Sequence, residues 1–204
     1  MPDETLDSDT PRARGSYAKG LARRQQILDR AIEVFASRGS ARTSLRSIAE
    51  EIGVSHGALT HYFRSREHLL VEVYREAERQ LDRHAPHSVD VSAVGIMTAS
   101  AERNRTIPGL VQLYSTLVAA ALEEGHPDAH AFASERFARI RGELADHVRR
   151  DQADGRVRAD VDALTVATLV IAASDGLQTQ WLLEPDVGHT AALELLERLL
   201  TERP

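Results

Sequence analysis

TSLRSIAEEIGVSHGALTHYF, residues 43 to 63, is the stretch from which the fold is read. Leu45, Ile48, Ala49 and Ile52 recur at i, i+3, i+4 and i+7, which puts one apolar stripe on a first short helix. Gly53 breaks that helix, Val54 is a buried-type residue at the corner, and Ser55 is a natural N-cap for a second helix. In the second helix Leu59 and Phe63 lie four apart and pack inward, which leaves His56, Gly57, Thr60 and His61 pointing away. This is the layout of a helix-turn-helix, with residues 55–63 as a recognition helix that offers small and hydrogen-bonding groups to a major groove.

On the N-terminal side, Leu28, Ala31, Ile32 and Phe35 make a helical stripe over residues 21–38, stopped by Gly39. Three helices sharing Leu28, Ile32, Phe35, Ile48, Ile52, Leu59 and Phe63 form a small core. About fifty residues is marginal alone, so support from the following chain is expected. Ser65 caps the next helix, which runs to Arg83 with Leu70, Val73, Tyr74, Ala77 and Leu81 on its inner side and serves as the mechanical link. Residues 1–18 have no apolar period and are expected to form a disordered arm. Its Arg12 and Arg14, with Lys19, are candidates for the phosphate backbone, and a solvated tail is the plainer account.

The charge is unevenly spread. The net value is -6, yet residues 11–68 hold 11 basic and 5 acidic residues, while residues 69–204 hold 14 basic and 22 acidic. Positive charge sits on the segment proposed to meet phosphates. The absence of cysteine excludes disulfides, thiolate metal sites and a cysteine nucleophile. The longest apolar runs, residues 118–122 and 169–173, are far short of the roughly 20 residues a membrane span needs. The acidic N-terminus lacks a signal-peptide core, so a cytoplasmic protein with no membrane association is expected.

Residues 43–63, continued by Arg64-Ser65-Arg66-Glu67-His68-Leu69-Leu70, resemble the N-terminal DNA-binding domain of the TetR family of bacterial transcription regulators. Phe35-Ala36-Ser37-Arg38-Gly39 matches the end of that family's first helix, Ile48-Ala49 with Gly53-Val54-Ser55 its central pattern, and Tyr62-Phe63-Arg64-Ser65-Arg66-Glu67 its closing run. Several fixed spacings agree at once over roughly residues 20 to 75, about a quarter of the chain. Thr60 departs from the pattern, because the family most often has tyrosine there, and a hydroxyl or methyl contact is the expected substitute.

Beyond Pro86, which excludes a continuous helix, come five helical patterns and no convincing strand, so the chain is all-α. They cover residues 91–104, a segment beginning near Pro108, which is acceptable at a helix's first position, a charged helix after Pro127, residues 163–183 capped by Asp162, and a leucine-rich end. Residues 163–183 are apolar nearly all round and must be covered on all sides. Leu193, Leu196 and Leu200 form a second stripe, so a homodimer across the last two helices is expected, with Leu169, Val170, Ala173, Leu193, Leu196 and Leu200 at its interface. The resemblance implies the same, since relatives dimerise through their last two long helices. The domain plan is an arm at 1–18, a DNA-binding domain at 19–65, a connecting helix at 66–83 and an effector-binding and dimerisation domain at 84–204.

Rival chemistry is weak. Gly53-Val54-Ser55-His56-Gly57 fits the nucleophile pattern of serine hydrolases, but that motif needs a preceding strand and here a helix precedes it. His126 and His130 are spaced for a metal, yet Pro127 starts a helix between them, and surface histidines are the simpler account. No cofactor, metal or catalytic residue is expected.

The resulting expectation is a homodimeric transcriptional repressor that reads a palindromic operator in double-stranded DNA and is released by a small, hydrophobic effector. The resemblance implies that Arg46 reaches a base edge, most simply a guanine. His56, Gly57, Ala58, Thr60 and His61 are the other base-contact candidates, and Thr43, Ser44, Ser47, Tyr62 and Arg66 are assigned to phosphates. The resemblance also implies an effector pocket in the C-terminal helices, for which Met97, Leu113, Tyr114, Leu117, Phe137, Gln178 and Trp181 are candidates. An activator or ligand-independent regulator, and more remotely a helical scaffold that binds no DNA, remain as alternatives.

Overall fold

Apolar residues at helical spacing become nine helices, and no strand, among the described residues of the computed structural model, which are 11–38, 45–84 and 91–201. In chain order they are α1 (Pro11–Arg38), α2 (Leu45–Glu51), α3 (His56–Tyr62), α4 (Arg66–His84), α5 (Ala93–Thr106), α6 (Leu110–Ala120), α7 (Pro127–Ala153), α8 (Ala163–Leu183) and α9 (His189–Thr201). The protein is all-α, with an N-terminal helix-turn-helix and a C-terminal helical body. No described helix is long and apolar enough to cross a membrane.

The first core is built from the stripes read in the sequence. Leu28, Ala31 and Phe35 of α1 meet Ile48 and Ile52, and Leu59 and Phe63 close it with no exposed surface. It does not stop at the helix-turn-helix. It continues through Tyr74 and Ala77 of α4 into Leu113 and Leu117 of α6 and Phe132 of α7. Because α4 packs on both sides, the support a fifty-residue unit needs comes from the body itself.

A second core joins α5, α7, α8 and α9 through residues such as Met97, Leu144, Val166, Val170 and Leu193. Ser92 and Asp162 cap α5 and α8, accepting from the Gly95 N–H at 2.9 Å and the Thr165 N–H at 2.8 Å.

Three expectations change. Residues 11–18, expected within a disordered arm, are the first turns of α1, while residues 1–10 lie outside the described residues. Proline is suited to a first helical position, and extending a formed helix gains one hydrogen bond per residue fixed, so no apolar period is needed to continue it. Pro108 does not open α6. Gly109, at φ 76°, stands at its N-cap, and the helix starts at Leu110. Val170 and Leu193, expected at an interface, have no exposed surface and belong to the protomer's own core. The reason is that α8 is two-faced: Val166, Ala167, Val170, Ile171 and Ser174 are buried, while Leu164, Thr168, Leu169 and Ala172 face outward. An apolar-all-round sequence does not reveal which of its faces the protomer covers.

Candidate nucleic-acid interface and effector core

The turn between α2 and α3 is fixed by backbone and cap together. Gly53 takes φ 70°, in the left-handed region that favours glycine, and the Arg30 guanidinium of α1 donates to the Ile52 carbonyl at 2.7 Å beside it. Ser55 is extended at φ −68° and ψ 148°, and its Oγ accepts from the Ala58 N–H at 3.0 Å. With Leu59 and Phe63 anchored below, α3 turns His56, Gly57, Thr60 and His61 into solvent and leaves Ala58 and Tyr62 half-buried. The His61 and Tyr62 rings meet edge-on at 5.0 Å.

Thr60 donates its hydroxyl back to its own helix, with Oγ1 3.1 Å from both the His56 and Gly57 carbonyls. Its methyl is then the group free to project outward. Arg46 on α2 is 81% exposed at its side chain and loosely paired, Nε to Glu50 Oε1 at 3.3 Å. Ser47 and Arg66 are half-buried, and burial holds the Arg66 guanidinium below its ordinary pKa. Thr43 and Ser44 lie outside the described residues. The structure thus leaves Arg46 and the outward residues of α3 exposed on two helices packed against each other, in a helix-turn-helix whose own core is built without them.

Two connections to the body escaped the sequence reading. Arg24 of α1 is ion-paired with Glu72 of α4 and stands over the Phe63 ring at 5.3 Å. At the junction of α3 and α4, Arg64 pairs with Asp128 in the first turn of α7, and the Ser65 hydroxyl donates to Asp128 Oδ2 at 3.1 Å. The Asp128 N–H donates to Glu67 at 3.0 Å, and His126 Nδ1 lies 2.6 Å from the other Glu67 oxygen. Arg64, and behind it Ser65, hold the Asp128 carboxyl below its usual range. These partners are about sixty positions apart, and no local pattern announces them.

Inside the body, the residues expected to line a pocket are mostly closed core. Met97, Leu113, Tyr114, Leu117 and Gln178 are buried, and Phe137 and Trp181 half-buried. Tyr74 and Tyr114 stack at 5.4 Å, and Phe132 meets Tyr74 edge-on at the same separation. The Tyr114 hydroxyl donates to Asp175 of α8 at 2.7 Å, and burial pushes Tyr74 up to about 12 and Tyr114 higher still. Arg136 of α7 lies 4.8 Å above the Tyr114 ring and donates to Glu78 at 3.0 Å and to the Tyr74 hydroxyl at 3.3 Å. Burial works against its charge, but the facing Tyr74, Glu78, Tyr114 and Asp175 outweigh it and raise its pKa. Asp175 is raised by burial, against the pull of Tyr114 and Arg136. His189, which has no partner for either ring nitrogen, is lowered to about 4 by burial and then by Arg105.

Space lies beside this column rather than within it. A groove of about 520 Å³ runs between α4 and α7, and a second cavity of about 150 Å³ adjoins it, both lined by Glu78, Asp82, Arg136 and Arg139. Of the seven expected pocket residues, Met97 alone lines either of these two.

Comparison with known proteins follows this division. Residues 27–73 match the family model described as bacterial regulatory proteins, tetR family, and residues 93–203 match that of the BetI-type transcriptional repressor, C-terminal. The chain is 29% identical to the HTH-type transcriptional repressor Rv1474c of Mycobacterium tuberculosis, over 86% of this chain and 91% of that protein. It is 30% identical to the HTH-type transcriptional regulator TtgR of Pseudomonas putida, over 80% of this chain and 81% of that one. A solved transcriptional regulator from Rhodococcus sp. Rha1 superimposes with a TM-score of 0.70 over 89% of this chain and 99% of its own, at 18% identity, a likeness of fold.

Proposed function

The chain belongs to the TetR family of bacterial regulatory proteins, and from that premise we propose that it is a homodimeric transcriptional repressor whose grip on its operator is released by a small molecule. The observation that carries the reading is α3: a seven-residue helix anchored by Leu59 and Phe63, with His56, Gly57, Thr60 and His61 exposed and no other described element using them. Arg46 reads a base edge with paired donors, and Gly57 lets the backbone approach. With the Thr60 hydroxyl turned back, its methyl and that of Ala58 suit a thymine methyl. Thr43, Ser44, Ser47, Tyr62 and Arg66 meet phosphates and fix register.

Dimerisation is supported by Leu164 and Leu169 of α8 and Leu195 and Leu199 of α9, each about half exposed. Leu164, Thr165, Thr168, Leu169 and Ala172 form one uncharged depression there. We assign the interface to this outward set with the half-buried Ala173, Leu196 and Leu200. Residues 19–65 are the DNA-binding domain and residues 84–204 the effector and dimer domain. The connecting helix, α4, is shared by both in packing, so a ligand favouring one setting of it changes the affinity for DNA. The cytoplasm is the compartment of such a regulator. Selection of bound duplexes from a random pool tests the reading. A palindrome with half-sites about 34 to 36 Å apart is expected, and recovery of unselected sequence overturns it.

A further inference from the structure

The groove between α4 and α7 contains an arginine that its own protein does not satisfy. Arg136 is 7% exposed and lines both adjoining cavities, of about 520 and 150 Å³. A guanidinium carries five N–H donors. Only Nη2 is used, toward Glu78 and Tyr74, while Nε and Nη1 are buried with no acceptor. Its neighbours on the rim differ. Arg75 pairs with Glu72 and Glu135, Arg79 with Glu76, and Arg139 with Glu143. Glu78 is divided between Arg136 and Arg139, at 3.0 and 3.6 Å. What the groove lacks is therefore an acceptor at Arg136. Buried donors without acceptors are uncommon in folded proteins, and they occur where a ligand or an ordered water supplies the missing oxygen.

We infer that this groove is the effector site and that the effector is a monocarboxylate with an apolar body. A carboxylate matches the guanidinium in charge, and because each forked edge pairs Nη2 with either Nε or Nη1, a bidentate contact takes an Nη2 hydrogen from Tyr74 or Glu78 and supplies one of the missing acceptors. Ile96, Met97, Ile140 and Leu144 line the adjoining cavity and take the apolar part. The larger space falls within the range of small-molecule sites. This inference rests on the reading of the C-terminal helices as an effector domain and names the ligand class. It also names the lever. Both groups now held by Arg136 Nη2, Tyr74 and Glu78, are on α4, so a carboxylate drawing Arg136 toward itself acts on the helix that leads out of the recognition helix.

The test is calorimetric titration of the full-length dimer with straight-chain carboxylates of about four to twelve carbons, against the alcohol, amide and trimethylammonium of the same chain. Wild type is expected to bind at least one carboxylate about tenfold more tightly than its neutral and cationic counterparts. Equal binding, no binding of the acids, or preference for the cation overturns the inference. Arg136→Met should lose the preference for the acid while retaining the residual affinity for the alcohol, and an unchanged preference also overturns it. Should that variant not fold, Ser100→Trp, at a half-buried position on the α5 side of the smaller cavity, is expected to abolish carboxylate binding by filling that cavity, and unaltered binding counts against the site. DNA binding by the unliganded protein is measured in parallel. Operator binding without acid selectivity sinks only the ligand class, and acid selectivity without operator binding sinks only the regulator.

Discussion

Replacing Arg46 with alanine tests the docking most sharply, because the arginine's free-state interactions are few and weak. Its side chain is 81% exposed and pairs with Glu50, one turn along the same helix, at 3.3 Å. A helix pair of that kind contributes about 0.3–0.5 kcal/mol, and it must be given up when the guanidinium turns to DNA. A good bidentate contact to guanine is worth about 1–3 kcal/mol, so the net loss on truncation is about 0.5–2.7 kcal/mol. In equilibrium constants that is a loss of about 2- to 90-fold. Stability should hardly change, since the residue contributes little buried surface. Fluorescence anisotropy with the selected operator and with single-base variants reads the effect. The weakening should vanish on duplexes already altered at one base pair in each half-site, and Glu50→Gln should bind the intact operator slightly more tightly. Equal loss on every duplex would move Arg46 from a base to a phosphate and refute the assignment.

Three further outcomes follow from particular contacts. Gly53→Ala places a side chain at φ 70°, with its Cβ 3.4 Å from the Arg30 guanidinium, and should cost about 1–2 kcal/mol in urea unfolding; an unchanged midpoint would mean that the turn relaxes. Asp128 lies below its usual 3.8, so the stability it contributes is complete above about pH 4 and disappears as the pH falls through the lowered value. Thermal unfolding of Asp128→Asn between pH 7 and 3 should lack that acid-dependent part, and a slope equal to wild type would show that the latch to Arg64 and Ser65 carries no coupling. Leu169→Arg should leave the protomer folded and produce monomers in sedimentation, whereas Val170→Ala should destabilise the protomer itself, and the reverse pattern would contradict the assignment of the two faces.

The helix-turn-helix was legible because its information is local. The stripe ending at Ile52, the break at Gly53, the cap at Ser55 and the inward pair Leu59 and Phe63 are all set by spacing within twenty residues, and each stands in the structure as read. The body was legible as helices but not as surfaces. In α8 the same kinds of residue are core at Val170 and solvent-facing at Leu169, and only tertiary packing decides between them. The polar interior was hidden for a different reason. Arg136 meets Tyr74 and Glu78 about sixty positions away, and Asp128 meets Ser65 and Glu67 across a similar distance, so a charged residue on an apparently solvated helix gave no sign of its partners. The expected pocket residues were apolar for the same reason, and the space beside them is a groove lined largely by arginines and carboxylates.

Guanine-N7 methylation interference on the selected operator bears most directly on whether the outward atoms of α3 touch bases. Adding a methyl group in the major groove should block binding at positions forming two patches about one helical turn apart, one for each recognition helix. Interference restricted to adenine N3 in the minor groove, or absent from both half-sites, would contradict the account.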